Sequence, residues 1–143
     1  MKSWPSGASS IVNELLLDTC ALIWVLGDGN LAPEATTAIT SLPLHVSAVS
    51  ALEIGILIRK GRFTTEAAPA LWFQSSLDAL SAKLQPLPPE ILFASQSLPG
   101  LFHGDPFDRV MIATARRGGL KLVTRDRAIL DYCNEQGLAS LRC

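Results

Sequence analysis

The hydrophobic positions of the chain fall into short continuous runs separated by stretches with helical spacing. The first run, Leu15-Leu16-Leu17, ends at Asp18 and predicts a strand that is buried on both faces. Further strands are predicted over 44–47, 85–87, 120–124 and 138–142, and helices over 19–26, 33–42, 50–60, 66–83, 90–98, 105–118 and 127–136. Because strands alternate with helices over short loops, the predicted fold class is α/β, with a parallel sheet between two layers of helices.

Capping signals mark where several of these helices begin and end. Thr19 is predicted to be the N-cap of the first helix, and Asp105-Pro106 begins the clearest helix of the chain. Gly61 and Gly137 are predicted to end two others, because glycine readily adopts the left-handed conformation that closes a helix.

The chain is predicted to contain one domain and a short arm. Residues 1–13 are mostly polar and rich in Ser, which predicts a flexible N-terminal arm. Residues 14–143 contain no repeat or linker and are predicted to form a single domain. With 48% apolar residues and a mean hydropathy of +0.30, a disordered chain is excluded.

The charge of the chain is nearly balanced. Twelve Lys and Arg residues stand against 13 Asp and Glu residues, for a formal net charge of −1. This balance excludes a polycation that coats nucleic acid through bulk charge alone. It leaves open a nucleic-acid enzyme with sorted charges, because six of the 12 basic residues lie between Arg109 and Arg127.

The cysteines and the apolar runs predict a cytoplasmic protein that has no membrane partner. Cys20, Cys133 and Cys143 are odd in number and form no C-x-x-C pair, which argues against a disulfide framework or a zinc knuckle. A reducing compartment therefore fits, and Cys20, in an apolar run, is predicted to be a small core residue. No signal peptide is visible, and the longest apolar stretch, 15–26, is too short to span a bilayer.

Acidic residues follow the predicted strands or begin the predicted helices. Asp18 and Asp126 come directly after strands, whereas Glu53, Asp105 and Asp108 lie in the first turns of helices. Because the carboxyl ends of parallel strands share one edge of a sheet, we expect these acids to converge there. Converging carboxylates repel one another unless a cation is present, and oxygen ligands favour Mg²⁺ or Mn²⁺. Such a site can hydrolyse phosphodiesters by activating a water molecule.

The acids at helix starts also have a purely structural explanation. Ser50 and Glu53 have the spacing of a capping box, in which Glu53 would bind the start of its own helix. Asp105 and Asp108 have the same spacing, so capping and function both remain open for these residues. Asp18 favours a functional role, because a carboxylate is almost never fully buried unless it is paired.

Four motifs in order resemble those of a known protein family. They are LLLDTCA at 15–21, VSAVSALEI at 46–54, HGDPFDR at 103–109 followed by MIATA at 111–115, and LVTRD at 122–126. Together they resemble the PIN-domain ribonucleases, and among these the VapC-type toxins of bacterial type II toxin–antitoxin systems. The resemblance extends from residue 15 to the C-terminus.

The resemblance implies a PIN-like three-layer fold, in which a central five-stranded parallel sheet has helices on both faces. It implies an endoribonuclease that depends on Mg²⁺ or Mn²⁺, hydrolyses RNA, forms a homodimer and is inhibited by a cognate antitoxin protein. The catalytic, metal-binding acids of the family correspond here to Asp18, Glu53, Asp108 and Asp126. Asp105 is either an additional ligand or the helix cap.

Polar and basic residues beside the acids complete the expected site. Thr19, Ser47 and Thr124 are expected to hydrogen-bond the carboxylates or the substrate phosphates. Arg109 and Arg125 flank the acids and are expected to attract the RNA backbone.

Two other functions compete with this interpretation. A phosphatase or a phosphoacceptor could also use Asp18 at a strand end, although Asp18-Thr19-Cys20 lacks the D-x-D pattern of phosphatases. A non-catalytic PIN-like module that binds RNA or a partner protein would keep the fold and lose the metal.

Overall fold

A five-stranded parallel sheet forms the centre of the computed structural model, which describes residues 13–27 and 29–143. The strands are β1 (Leu15–Leu17), β2 (Leu44–Ser47), β3 (Lys83–Gln85), β4 (Lys121–Thr124) and β5 (Ser140–Arg142). Their order across the sheet is β3-β2-β1-β4-β5, and every neighbouring pair is parallel. The predicted α/β fold class with a parallel sheet is confirmed.

Helices cover both faces of this sheet. The helices on one face are α1 (Thr19–Leu26), α2 (Pro33–Ser41), α3 (Val49–Arg59) and α4 (Pro69–Leu80). The helices on the other are α5 (Pro89–Ser95), α6 (Pro106–Gly118) and α7 (Arg127–Gln136). Side chains alternate between the two faces, so Leu16 and Leu122 pack with α5, α6 and α7, whereas Leu17 and Val123 pack with the first four helices.

Two strands are shorter or earlier than predicted. The strand predicted over 85–87 is wrong, because β3 ends at Gln85 and the next residue, Pro86, has no N–H to donate to a strand ladder. The last strand, predicted over 138–142, begins at Ser140.

Two helices are shorter than predicted, and prolines mark where they begin. The helix predicted over 66–83 begins at Pro69, and the helix predicted over 90–98 begins at Pro89. Proline suits the first position of a helix, because the N–H it lacks would have no partner there. The first of these helices is closed by Ser81, whose φ of 50° is left-handed.

The carboxyl ends of the central strands meet at one edge of the sheet. Leu17 of β1 lies in register with Val46 of β2 and Val123 of β4, and the Asp18 N–H donates to the Val123 carbonyl (3.1 Å). From β1 the chain moves to one side of the sheet for β2 and β3, then crosses to the other for β4 and β5. The crevice beyond β1 and β4 is therefore the switch point at which open α/β sheets bind ligands.

Part of the predicted organisation falls outside the described residues. These leave out residues 1–12, nearly all of the predicted arm, together with Asp28. Across the residues that are described, no helix combines the length and the apolar character needed to cross a membrane.

Candidate active site

Asp18 is the acid beyond the central strand, and only 8% of it is exposed. Its Oδ1 accepts a hydrogen bond from the Ala21 N–H (2.7 Å), so Asp18, and not Thr19 as predicted, is the N-cap of α1. Its Oδ2 accepts from the Thr124 hydroxyl (2.5 Å). Burial raises the pKa of Asp18 above its ordinary value, although both hydrogen bonds act to lower that pKa.

The Thr124 hydroxyl connects two of the predicted acids. Thr124 ends β4 and is fully buried. Its Oγ1 donates to Asp18 and accepts from the Asp126 N–H (3.0 Å). Asp126 is the N-cap of α7, where its Oδ1 accepts from the Ile129 N–H (3.1 Å). The end of one strand thus holds both acids.

Glu53 is directed toward the start of α1. The Thr19 hydroxyl lies 2.8 Å from Glu53 Oε1 and 2.9 Å from Ser50 Oγ. Because a hydroxyl carries one proton, Thr19 donates to Glu53 and accepts from Ser50. The capping box is not formed, since α3 has no side-chain hydrogen bond at its N-cap. Burial is the main cause that raises the pKa of Glu53, and the charges of Asp105 and Asp18 add to it.

Ser47 has a different partner from the other two hydroxyl residues. Ser47 ends β2 and is fully buried. Its Oγ accepts from the Val49 N–H (3.1 Å), at the start of α3. The hydroxyl therefore supports the helix that carries Glu53 and is directed to backbone.

Asp105 and Asp108 come together at the start of α6. Asp105 is the N-cap, and its Oδ1 accepts from the Asp108 N–H (2.9 Å), as the predicted cap spacing requires. The pKa of Asp108 is raised to about 7 from an ordinary value of 3.8, and burial is the largest cause. The remaining causes are the negative charges of Asp105, Asp126, Glu53 and Asp18. The acids predicted to converge therefore repel one another through space.

Arg109 does not point at these acids. Its Nε donates to the Ser95 carbonyl (2.8 Å) and its Nη1 to the Phe102 carbonyl (2.6 Å). Both acceptors are backbone atoms on the segment that leads from α5 into α6. Sequence reasoning missed these bonds, because no local pattern reports a side chain bound to a carbonyl 14 residues away.

Arg125 is also bound to backbone carbonyls. Its Nε donates to the Cys143 carbonyl (3.1 Å), and its Nη2 donates to the Asn30 carbonyl (2.6 Å). The guanidinium lies over the Trp24 ring, 3.8 Å from the ring centroid, which is a cation–π contact. Arg125 therefore connects the segment after α1 to the end of β5.

Cys20 is exposed, so its predicted place in the core is wrong. It is the second residue of α1, at the acidic edge of the sheet. Partial loss of solvation and the charges of Asp18, Glu53 and Asp108 raise the pKa of its thiol to about 11. The apolar run over 15–26 misled the prediction, because it covers both a buried strand and a helix with an outward face.

Comparison with known proteins identifies the family. The sequence profile of the PIN domain matches residues 15–135, which include all four predicted acids. The chain belongs to the PIN-domain family. This PIN domain is 31% identical over 120 residues to ribonuclease VapC22 of Mycobacterium tuberculosis, and the match covers 82% of this chain and 91% of that protein. The resemblance that the four motifs indicated is confirmed.

The fold of this PIN domain is shared by solved structures, including the following two. A toxin–antitoxin complex from Klebsiella pneumoniae matches with a TM-score of 0.54 and 23% identity, over 78% of this chain and 86% of the solved chain. VapBC2 from Rickettsia felis, bound to a DNA fragment from its promoter, matches with a TM-score of 0.57 and 15% identity, over 90% and 98%. The predicted PIN-like three-layer fold is therefore confirmed.

The donor groups of this PIN domain suit a hard divalent cation. The converging side chains offer carboxylate oxygens, and the nearby Cys20 thiol stays protonated at neutral pH. Oxygen donors of this kind favour Mg²⁺ or Mn²⁺. In residues 13–27 and 29–143, no three His, Cys, Asp or Glu side chains are already grouped to hold a metal ion. Carboxylates that raise one another's pKa gain most from a cation placed between them.

Proposed function

We propose that this PIN domain is a metal-dependent endoribonuclease and the toxin of a toxin–antitoxin system. The observation that carries the proposal is the gathering of Asp18, Glu53 and Asp108 at one sheet edge, each with a raised pKa. Asp126 acts on the pKa of Asp18 and Asp108 from the same edge. The similarity to a protein named as a ribonuclease supports the same chemistry.

The cation that we propose is Mg²⁺ or Mn²⁺. Asp18, Asp108 and Asp126 would hold it, and Glu53 would either bind it or orient the attacking water. Asp105 uses one oxygen to cap α6, and its second oxygen is the candidate for an additional ligand. When bound, such a cation polarises a phosphoryl oxygen and lowers the pKa of a bound water molecule.

The chain's own residues contribute orientation. Hydrolysis adds water across one P–O bond, so the site must hold the water and the phosphate in line. Thr124 and the Ala21 N–H each bind one oxygen of Asp18, which fixes the plane of that carboxylate. Thr19 binds one oxygen of Glu53 and leaves the other to accept a hydrogen bond from water.

The substitution Asp18→Asn tests the proposal. Cleavage of a mixed-sequence RNA in Mg²⁺ or Mn²⁺ should fall by more than the roughly 10- to 100-fold that loss of an outer-shell partner costs. The fold should survive, because Asn is as good an N-cap as Asp. The matched control is Asp78→Asn, on the exposed face of α4, where the Asp78 carboxylate accepts from the Gln74 side chain.

Two results would contradict the proposal. One is full RNA cleavage by Asp18→Asn, purified in parallel with the control. The other is a calorimetric titration in which the wild type binds Mg²⁺ or Mn²⁺ no better than the variants of Asp18 and Asp126 do. The second result would favour the non-catalytic PIN-like module, which keeps the fold without the metal.

The proposed partners are an RNA substrate, a cognate antitoxin protein and a second copy of the chain. The similar structure from Klebsiella pneumoniae is a toxin–antitoxin complex, which supports the antitoxin partner. We propose the cytoplasm as the location in which the protein would act on RNA. Light scattering of the purified chain, which should give the mass of a homodimer, tests the third partner.

A further inference from the structure

Arg109 binds both ends of the loop that leads into the acidic site. The loop, residues 96–105, joins α5 to α6 and ends at Asp105. Ser95 is the last residue of α5, where a helix leaves carbonyls without an internal partner. The guanidinium binds that carbonyl at 2.8 Å and the Phe102 carbonyl, near the other end of the loop, at 2.6 Å. One side chain on the first turn of α6 therefore closes the loop.

Other contacts hold the same loop against α6 and α7. The Tyr132 hydroxyl donates to the Pro99 carbonyl (2.5 Å), and the Phe102 ring packs on the Tyr132 ring with centroids 5.0 Å apart. A Cβ at Gly104 would lie 2.3 Å from the Phe102 ring and 3.2 Å from Asp108 Cβ. Gly104 of the loop thus lies close both to the Phe102 ring and to Asp108, which carries the third acid.

The guanidinium lies on the Tyr132 side of α6. Burial raises the pKa of Tyr132, and the positive charges of Arg116 and Arg109 act to lower that pKa. The Nε and Nη1 donors of Arg109 are directed into the loop, toward the Ser95 and Phe102 carbonyls.

We propose that Arg109 is a positioning residue, which holds Asp105 and Asp108 in place by binding the Ser95 and Phe102 carbonyls. This positioning role replaces the expected contact between Arg109 and the RNA backbone. The kinetic part of this inference rests on the proposed function, whereas the structural part does not.

The fork of the guanidinium makes the proposal testable with a charge-conserving variant. Arginine presents rigid donors that can bind two acceptors, whereas a lysine ammonium is a single point of charge. A phosphate contact would survive Arg109→Lys to a large extent, because charge is what it requires. A brace between two carbonyls would not survive Arg109→Lys, because it requires two donors in a fixed geometry. Arg109→Lys and Arg109→Gln should therefore behave alike.

Hydrogen exchange tests the brace without any reference to catalysis. In both Arg109 variants, amides of residues 96–105 and of the first turn of α6 should exchange about tenfold faster, since the loop loses charge-assisted hydrogen bonds. Arg59→Gln, which removes an exposed charge at the end of α3, is the matched control and should leave this loop unchanged. Unchanged exchange in both Arg109 variants would overturn the proposal.

Kinetics and RNA binding separate positioning from substrate contact. Both Arg109 variants should lose about 10- to 100-fold in kcat, while KM stays within about twofold. In the Asp18→Asn background, a labelled single-stranded RNA should bind with unchanged affinity and salt dependence. Retained kcat in Arg109→Lys, with an RNA-binding salt slope lower by about 1 in Arg109→Gln, would identify a phosphate contact and overturn the proposal.

Two further outcomes are distinguishable. If the wild type cleaves no RNA, the proposed function fails, and hydrogen exchange alone decides whether Arg109 braces the loop. If the Arg109 variants do not fold, the wild type is measured instead by NMR, because the Arg109 Nε–H donates to the Ser95 carbonyl. This Nε proton should exchange with water more slowly than the Nε proton of the exposed Arg59, and equally fast exchange of the two would overturn the proposal.

Discussion

A single hydroxyl at the end of β4 holds two acids in place. Thr124 has one proton, which it donates to Asp18, and its oxygen accepts from the Asp126 N–H. The residue is fully buried, so water cannot replace either bond at low cost. The Thr124 oxygen therefore links Asp18 and Asp126, although Thr124 lies 106 residues after Asp18 in the chain.

Thr124→Val should reveal that link. Valine has the shape of threonine, so the substitution removes only the hydroxyl. Asp18 Oδ2 then loses its hydrogen-bond donor, and the Asp126 N–H loses its acceptor. We expect a loss of about 1–3 kcal/mol in the free energy of unfolding, measured by urea denaturation. Thr124→Ser keeps the hydroxyl and should cost less than Thr124→Val, because only a methyl group is lost. Equal losses in the two variants would mean that the methyl group, and not the hydrogen bonds, matters.

At the scale of residues, the placement of the acids could be predicted but the groups that hold them could not. Asp18 and Asp126 follow strand ends, so parallel topology alone brings them to one edge. Whether Glu53 caps its own helix or faces Asp18 depends on the packing of α1 on α3, which brings Thr19 to Glu53. Local spacing is the same in both cases, and the tertiary contact decides between them.

At the scale of elements, the start of α6 is tightly packed against the loop before it. Gly104 lies between the Phe102 ring and Asp108, with no room for a side chain. The ring cannot move away easily, because Phe102 is only 8% exposed and packs on Tyr132. The backbone here approaches its neighbours closely, and only glycine permits that approach.

Gly104→Ala should therefore destabilise the protein and disturb the site. We expect a loss of about 1–3 kcal/mol, measured by urea denaturation, because an extra methyl group in a packed site forces side chains off their preferred positions. Gly55→Ala is the matched control, since Gly55 lies within α3 and an added Cβ there would meet open space. That control should stabilise the protein by about 0.5–1 kcal/mol. A neutral Gly104→Ala would contradict the packing argument.

The elements that could be predicted are those with a buried face. The bounds of α7 agree with the predicted range of 127–136, because its apolar residues recur at helical spacing between clear end signals. β3 could not be placed correctly, since Lys83 and Leu84 are exposed and Gln85 is only partly buried. Its strand conformation comes from the ladder with β2, and the hydrophobic pattern carries no trace of that pairing.

At the scale of the whole molecule, a net charge of −1 conceals an uneven distribution. Acids gather at the carboxyl edge of the sheet and raise one another's pKa. Arg109 and Arg125, which the sequence places beside them, use their donors on backbone carbonyls. The sequence predicts where the charges lie along the chain, but only the folded structure reveals which charges neutralise one another.

The stability of the metal-free protein should fall as the pH rises toward neutrality. The pKa of Asp108 is about 7 in the folded protein and ordinarily 3.8, so the folded state binds this proton more tightly than the unfolded state does. The free energy of unfolding should therefore decrease from pH 3.8 to about 7 and then level off. Raised pKa values at Asp18 and Glu53 act in the same direction.

Thermal unfolding in a chelator, compared with unfolding in Mg²⁺ or Mn²⁺, measures this effect. Without metal, the melting temperature should be lower at about pH 8 than at about pH 5. Added cation should restore it at the higher pH, because the cation binds the folded state. Asp108→Asn should flatten the pH dependence. A melting temperature that rises with pH in the chelator would show that the acids do not repel one another as described.

Three of the acids at this edge also begin helices: Asp18 caps α1, Asp105 caps α6 and Asp126 caps α7. An evolving lineage therefore cannot discard these carboxylates freely, since a change to Ala would cost about 1 kcal/mol of helix stability at each position. Asparagine caps as well as aspartate does but carries no charge. Serine caps equally well, so a relative that has lost the metal site is expected to carry Asn or Ser at these helix starts.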